Sequence, residues 1–441
     1  MKYRILCTAL ALILIQSHGF AFTKKMTLEQ CLETGLGKNP ALKAAGFAVS
    51  AAGHEVEAAR SEFLPSVSSA WSNNLLISES AHGPTETDYL DQEIRTFNIS
   101  LIQILYAGSR ILNTYKKAKI EKQVARTEMA LEKLELVYNI ETTFYKLMKA
   151  REDVAAAAES VDRLTQSVKA ARAFLKKELA PYVDVLQAQV DLADAKNQLS
   201  IAKNNLNRER AALFSLMDQP LDPDTEFSDH KYHILKKKPS YETSREYALK
   251  NRPDIKTLKF QLAIAKKEAE ITMGIYLPMV KINAGYYDQQ RDYDNNGISF
   301  SGTYDRDQRN RYWSAGLYAT WDFFDGGRAW HIKKKYTAEE KKINALIKNA
   351  ENIISTGIRK ALYSMEEAQE QISGSAGALA AAKEYYQREE RRLKAGISTI
   401  TSLLDAQDRL NRARGNKTRA ILDYQLAKSE LKLMTGKNFP I

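Results

Sequence analysis

The chain is written twice, so any fold it adopts must be two versions of one unit. Asn39-Pro40 is followed by Pro65, and Asn251-Arg252-Pro253 is followed, at the same spacing, by Pro278. Leu105-Tyr106-Ala107-Gly108-Ser109-Arg110 then corresponds to Phe323-Phe324-Asp325-Gly326-Gly327-Arg328. The offset is 213 at the prolines and 218 at the glycines, which places five added residues between Pro278 and Gly326. Self-similarity at this scale overrides the two or three unrelated domains that length alone would suggest.

From the glycines onward the offset holds through a long seven-residue periodicity. Ile140, Leu147, Val154, Val161, Val168 and Leu175 are matched, at that same offset, by Ile358, Met365, Ile372, Leu379, Tyr386 and Leu393. The return segment carries Val185, Leu192, Leu199, Leu206 and Leu213, matched by Leu403, Leu410, Lys417, Tyr424 and Leu431 with one break at Lys417. Apolar heptads of this length imply coiled-coil packing. Ala188, Ala195 and Ala202, repeated as Ala406, Ala413 and Ala420, let the backbones approach closely. Each copy therefore reads as a helix (Leu28 to about Phe63, and Asp254 to about Tyr276), two extended runs, a long helix, and a helix returning beside it. The long helices run from Arg110 to about Lys177 and from Arg328 to about Ala395. Such a rod is on the order of 100 Å long. The heptads alone equally describe a soluble coiled-coil scaffold.

The extended runs separate the two cases. In 312–324, Trp313, Ala315, Leu317, Ala319, Trp321 and Phe323 alternate with Tyr312, Ser314, Gly316, Tyr318, Thr320 and Asp322. Apolar-polar alternation over about ten residues marks a transmembrane β-strand, with Trp313 and Trp321 as aromatic girdles about 20 Å apart in depth. A half-buried soluble sheet would alternate in the same way. The partner strand, 96–106, offers Phe97, Ile99 and Leu101 before its alternation fails at Gln103; weaker strands are expected over 66–76 and 279–289, with polar loops over 78–95 and 291–310.

The expected domains are a signal peptide over 1–21, a first repeat over 22–217, a surface linker over 218–240 and a second repeat over 241–441. Lys2 and Arg4 before the apolar run Ile5–Ile15, and Gly19-Phe20-Ala21 after it, have the layout of a secretory signal. Cys7 precedes most of that run, unlike a lipid-anchoring cysteine, which leaves Cys31 without a disulfide partner in the mature chain. No later apolar stretch is long enough to cross a bilayer, so no transmembrane helix is expected. The net charge of +11 is spread along heptad helices of both signs, which with export argues against nucleic acid. No nucleophile triad, phosphate loop or carboxylate pair stands out, so neither an enzyme nor a cofactor is expected. His230 and His233 have metal-like spacing but stand alone in the linker, and no metal site is expected.

These residues resemble the outer-membrane efflux protein family, of which TolC is the type member. The resemblance rests on Asn39 to Leu42, on Phe324 to Arg328, and on Leu403-Leu404-Asp405-Ala406-Gln407, duplicated at constant spacing over nearly the whole mature chain. It implies a mostly α protein with a transmembrane β-barrel: a homotrimer giving four strands per subunit to a twelve-stranded barrel, continued by an α-helical periplasmic tunnel. It implies an outer-membrane location in a Gram-negative bacterium and a role as exit duct for efflux or type I secretion. The implied partners are a periplasmic adaptor protein and an inner-membrane pump or ATP-driven exporter. Its docking turns fall on Glu178, Leu179 and Pro181 in the first copy and on Gly396 and Ile397 in the second. The periplasmic aperture falls on Asp184, Ser402 and Asp405, while the usual latch partners of Asp184 fall on Leu393 and Ser398. A periplasmic adaptor protein is the alternative reading, but an adaptor has one helical hairpin among compact β-domains, and this chain has two.

Overall fold

The computed structural model describes residues 25–437 apart from 82–86, 179–180, 229–231, 233, 236–237, 295–307, 396 and 399. The signal peptide, His230, His233, Leu179 and Gly396 lie outside the described residues.

Each copy starts with two helices where one was expected. In the first, α1 (Leu28–Lys38) and α2 (Pro40–Ser61) are separated by Asn39, whose ψ of 125° leaves the helical region. In the second, α5 (Tyr241–Asn251) and α6 (Pro253–Met273) are separated by Arg252, with ψ of 133°. The cause is shared: a proline disfavours the α conformation of the residue before it, yet suits the first turn of the next helix. The start of α1 is set locally by a capping box, Thr27 accepting from the Gln30 amide and Gln30 Oε1 from the Thr27 amide.

The long helices α3 (Arg110–Lys176) and α7 (Arg328–Lys394) return through α4 (Tyr182–Leu216) and α8 (Ile400–Thr435). Four long strands precede them in the two copies: β2 (Ser66–Ala81), β3 (Thr87–Ala107), β5 (Met279–Asp294) and β6 (Gln308–Thr320). They form one antiparallel sheet in the order β2-β3-β5-β6. Two expectations are corrected here. Residues 78–95, expected as a loop, are mostly ladder, because main-chain pairing continues wherever two antiparallel strands stay in register, whatever their side chains. The last strand ends at Thr320 rather than at Phe324, because its partner begins at Met279, directly after Pro278, which has no amide to donate.

The duplication survives as backbone geometry. Among the described residues, three that are not glycine have positive φ: Ser109 (64°), Glu178 (58°) and Asp218 (51°). Their counterparts in the second copy are all glycine: Gly327, Gly396 and Gly436. The helix ends are also treated alike. Asn39 Nδ2 donates to Leu216 O at 3.0 Å, and its counterpart Arg252 donates through Nη1 to Leu433 O and Met434 O at 2.7 and 3.0 Å. Both satisfy carbonyls that a helix C-terminus leaves open, and the guanidinium also meets the negative end of the helix dipole.

The chain divides into two compact units, each drawing on both copies. The first comprises residues up to 39, 136–236 and 365–429. Its core joins Ile140, Phe144, Leu213, Phe214, Met217 and Leu422, with Phe227 edge-on to Phe214 and Phe144 at 5.7 and 6.3 Å. Phe227 belongs to the segment expected as a surface linker, which is corrected. Residues 226–227 form a short strand, β4 (Glu226–Phe227), paired in parallel with β1 (Lys25–Met26). Arg151 donates to the Phe227 carbonyl at 2.8 Å, and the Leu235 amide donates to the Tyr424 hydroxyl at 3.0 Å. Burial of one large aromatic ring draws the polar segment onto the unit.

The second unit comprises 40–135, 237–364 and 430–441 and contains the sheet. Beneath the strands, α3, α6 and α7 are joined where Lys117 Nζ meets Glu268 at 2.5 Å and the Tyr336 hydroxyl donates to the same carboxylate at 3.3 Å. The Thr127–Thr257 hydroxyl pair, at 2.7 Å, adds a second polar link between α3 and α6.

Candidate functional site: a two-faced sheet and two helical turns

The register sorts the strands into one apolar and one polar face. Val67, Leu101, Ala284 and Ala315 lie in one cross-strand row, Ile99, Tyr286 and Trp313 in another, and Ile282 stands opposite Leu317. Trp71 opposes Phe97 in one row, and the Tyr286 and Trp313 rings lie 5.0 Å apart in the next, so large rings occupy adjacent rows of one face. On the same face and in the same row as Trp71 and Phe97, Asp288 binds Arg309 at 2.7 Å and Arg311 at 3.4 Å. The opposite face carries Ser68, Ser100, Asn283, Ser314 and the stacked pair Tyr287–Tyr312. Trp71 and Tyr286 belong to strands that the sequence marks weakly; the signal for them is their row position, visible only once the register is known.

Gln103 interrupts the apolar face but does not break it. Its Nε2 turns back to donate to the carbonyls of Phe63 and Ile104 at 3.2 and 2.8 Å. A bulge follows at once, with Ile104 opposite Lys281 and Tyr106 opposite Val280, so the alternation is rephased by one residue. Trp313 sits on the apolar face as expected. Trp321 lies just past the strand, where its indole nitrogen donates to the Tyr276 carbonyl at 2.9 Å.

The junction into α7 explains the Phe324 to Arg328 run. The Asp325 carboxylate accepts from the Gly327 and Ala329 amides at 3.0 and 2.8 Å, capping the helix, while Gly326 and Gly327 adopt φ of 66° and 84°. The first copy has Ala107 in place of the aspartate. Its Gly108 is constrained differently, since a Cβ there would run into the Gly274 carbonyl oxygen.

The helical turns lie in the first unit. Glu178 ends α3 in a left-handed conformation, and Pro181 precedes α4, whose first turn carries the exposed Asp184. Across the second turn Ile397 is exposed, Ser402 half-buried and Asp405 exposed. A group the sequence did not single out is Glu389, near the end of α7. It is only 4% exposed, and its carboxylate accepts from the Ser398 hydroxyl at 2.6 Å and from Arg392 at 2.7 Å. The Ser398 hydrogen bond, with the Arg392 guanidinium beside it, holds this carboxyl below the usual carboxylate range. Ser398, where the resemblance places a latch partner of Asp184, is thus engaged inside its own hairpin. The first copy has Ala171 and Ala180 at these two positions.

Each copy contributes a helical hairpin and two strands of a sheet with one apolar face. The sequence matches the outer membrane efflux protein family over residues 32–218 and 245–437, and the chain belongs to that family. Its solved relatives in fold include the Campylobacter jejuni CmeC outer membrane channel, with a TM-score of 0.73 at 17% identity over 93% of this chain and 85% of that one. The outer membrane protein VceC of Vibrio cholerae gives 0.70 at 16% identity over 94% and 97%. The open state of the Neisseria gonorrhoeae MtrE outer membrane channel gives 0.68 at 17% over 93% and 88%. No curated protein sequence matches the chain. The family is one of outer-membrane efflux channels rather than enzymes, and this chain is an outer-membrane efflux protein.

Proposed function

We propose that three copies of the chain close one twelve-stranded barrel in the outer membrane, and that the long helices continue it as a periplasmic exit duct. The observation that carries this is a four-stranded sheet with one apolar face and two unpaired edges, β2 and β6. Open edges leave amides and carbonyls without partners, which lipid cannot satisfy, and the smallest membrane barrels have about eight strands. The apolar face of Trp71, Phe97, Tyr286 and Trp313 then meets lipid, and the serine, asparagine and tyrosine face lines the lumen.

In this reading the turns at Glu178 to Pro181 and at Gly396 and Ile397 form the periplasmic end. They present themselves to a periplasmic adaptor, which couples the duct to an inner-membrane pump or ATP-driven exporter. Asp184, Ser402 and Asp405 follow closely after those turns in sequence and line the aperture. The test is the detergent-corrected mass of the purified protein by light scattering, expected at three times the mature chain. A monodisperse monomer with an intact β-sheet spectrum overturns the barrel.

A further inference from the structure

The chain leaves β6 for α7 through an exposed patch that combines aromatic rings with cations. Phe323 and Phe324 are 77% and 80% exposed, and Trp321 packs edge-on against Phe323 with ring centroids 6.2 Å apart. One turn into α7, Trp330 is half exposed, and the Lys334 ammonium lies 3.6 Å from its ring centroid. Lys333, Lys334 and Lys335 follow in sequence, all exposed, with Arg328 and His331 just before them. Among the described residues, none of Arg328, Lys333, Lys334 and Lys335 forms an ion pair, and the first turn of α7 contains no acidic residue. Of the two carboxylates nearest in sequence, Asp325 is occupied with backbone amides, and Asp322 is exposed between Trp321 and Phe323.

The other copy repeats the composition at the same place. Arg110 and Lys116 are the counterparts of Arg328 and Lys334, beside the exposed Leu105 and Leu112. There Lys119 sits 4.3 Å from the Tyr115 ring centroid. Rings that sit at a membrane boundary and long side chains that carry their charge past it are the two features of an interfacial anchor. The patch follows directly on the last residue of β6, Thr320, at the end of the strand that leads into α7.

We infer that this junction binds the anionic headgroups of phospholipids in the periplasmic leaflet, with Lys333, Lys334 and Lys335 supplying the charge and Trp321 and Trp330 the interfacial rings. The inference rests on the barrel reading, which sets this end of the strands at the periplasmic leaflet. Three consecutive lysines span about 200° of helix surface, so they collect several headgroups rather than enclose one. Each lysine close to an anionic surface strengthens binding roughly fivefold, and the attraction decays within a screening length.

The experiment is native mass spectrometry of the full-length protein offered phosphatidylglycerol and phosphatidylcholine in equal amounts. The wild type is expected to retain phosphatidylglycerol over phosphatidylcholine by at least about tenfold, and by up to about a hundredfold if all three lysines act at full strength. The triple variant Lys333→Gln/Lys334→Gln/Lys335→Gln should fall close to parity, while Lys341→Gln, further along α7, should keep the preference. Should the triple variant fail to fold, the wild type alone decides, because its preference must shrink as salt rises from about 0.1 to 1 M. Equal retention by the wild type, a salt-independent preference, or an unchanged preference in the folded triple variant overturns the proposal. So does loss of co-sedimentation with peptidoglycan in the triple variant with lipid preference intact, which would assign the lysines to the cell wall. Failure of the barrel reading looks different: the protein then enters vesicles of neither composition.

Discussion

The Ser398 hydroxyl donates to the Glu389 carboxylate at 2.6 Å, closing the second helical turn from the last stretch of α7. Arg392 also donates to this carboxylate, and the first copy has alanine at the positions of both Glu389 and Ser398. The two turns that look alike in register are therefore held by different means. One has a side-chain clasp; the other has Glu178 in a left-handed conformation and Pro181.

The clasp makes the second turn sensitive to acid. Glu389 is held below its ordinary value of 4.5, chiefly by Ser398, so ionised Glu389 stabilises the turn above that pH. The contribution is lost as pH falls through the lower folded-state value. Amide protection in the second turn, corrected for intrinsic exchange, should fall several-fold as the pH drops through the lowered Glu389 value, and Ser398→Ala should show the lower protection already at neutral pH. Identical exchange in wild type and Ser398→Ala would mean that the hydrogen bond holds nothing.

The left-handed positions predict a sign change between substitutions. Glu178→Gly and Asp218→Gly should leave stability unchanged or raise it by up to about 1 kcal/mol, because their counterparts are already glycine. Glu178→Val should cost at least about 1 kcal/mol at the same site. Gly108→Ala combines positive φ with a backbone clash and should be the most damaging of the set. Thermal unfolding of the four proteins ranks them; a stabilised Glu178→Val would contradict the assigned conformation.

Facing decides the cost of a charge in the strands. Leu317 stands opposite Ile282 on the apolar face, and Ser314 stands opposite Gly285 on the polar one. Leu317→Arg should destabilise the inserted protein by about 2–4 kcal/mol, whereas Ser314→Arg should cost far less. Urea titrations in lipid vesicles measure both, and equal costs would show that the apolar face does not meet lipid.

Asp405 is exposed on α8, and a trimer would bring three copies around one axis. Like charges held in a narrow mouth attract cations and repel anions. Asp405→Asn should lower cation selectivity and weaken block by divalent cations in planar-bilayer recordings, with trimer mass unchanged. Unaltered reversal potential and block would reduce Asp405 to a solvated helix carboxylate.

The repeat, the heptads and the Trp313 strand were legible in the sequence because each is a local periodicity, and a side chain's period follows from helix or strand geometry alone. The broken first helices were legible in principle, since Pro40 and Pro253 act on the residue next to them. The clasp was not. Glu389 is one glutamate among many on a charged helix, and only the turn brings Ser398 onto it. The apolar face of Trp71, Phe97, Tyr286 and Trp313 draws on four strands whose register is a long-range property, and the Gln103 interruption hid part of it. Phe227 looked like linker because its neighbours are polar, while its burial depends on a pocket made by Phe144 and Phe214. The sequence by itself thus determined the elements, their duplication and their order, because these depend on neighbours along the chain. Which residues share a face, close a turn or enter a core was decided by the tertiary structure, because those contacts join residues whose separation in sequence carries no signal.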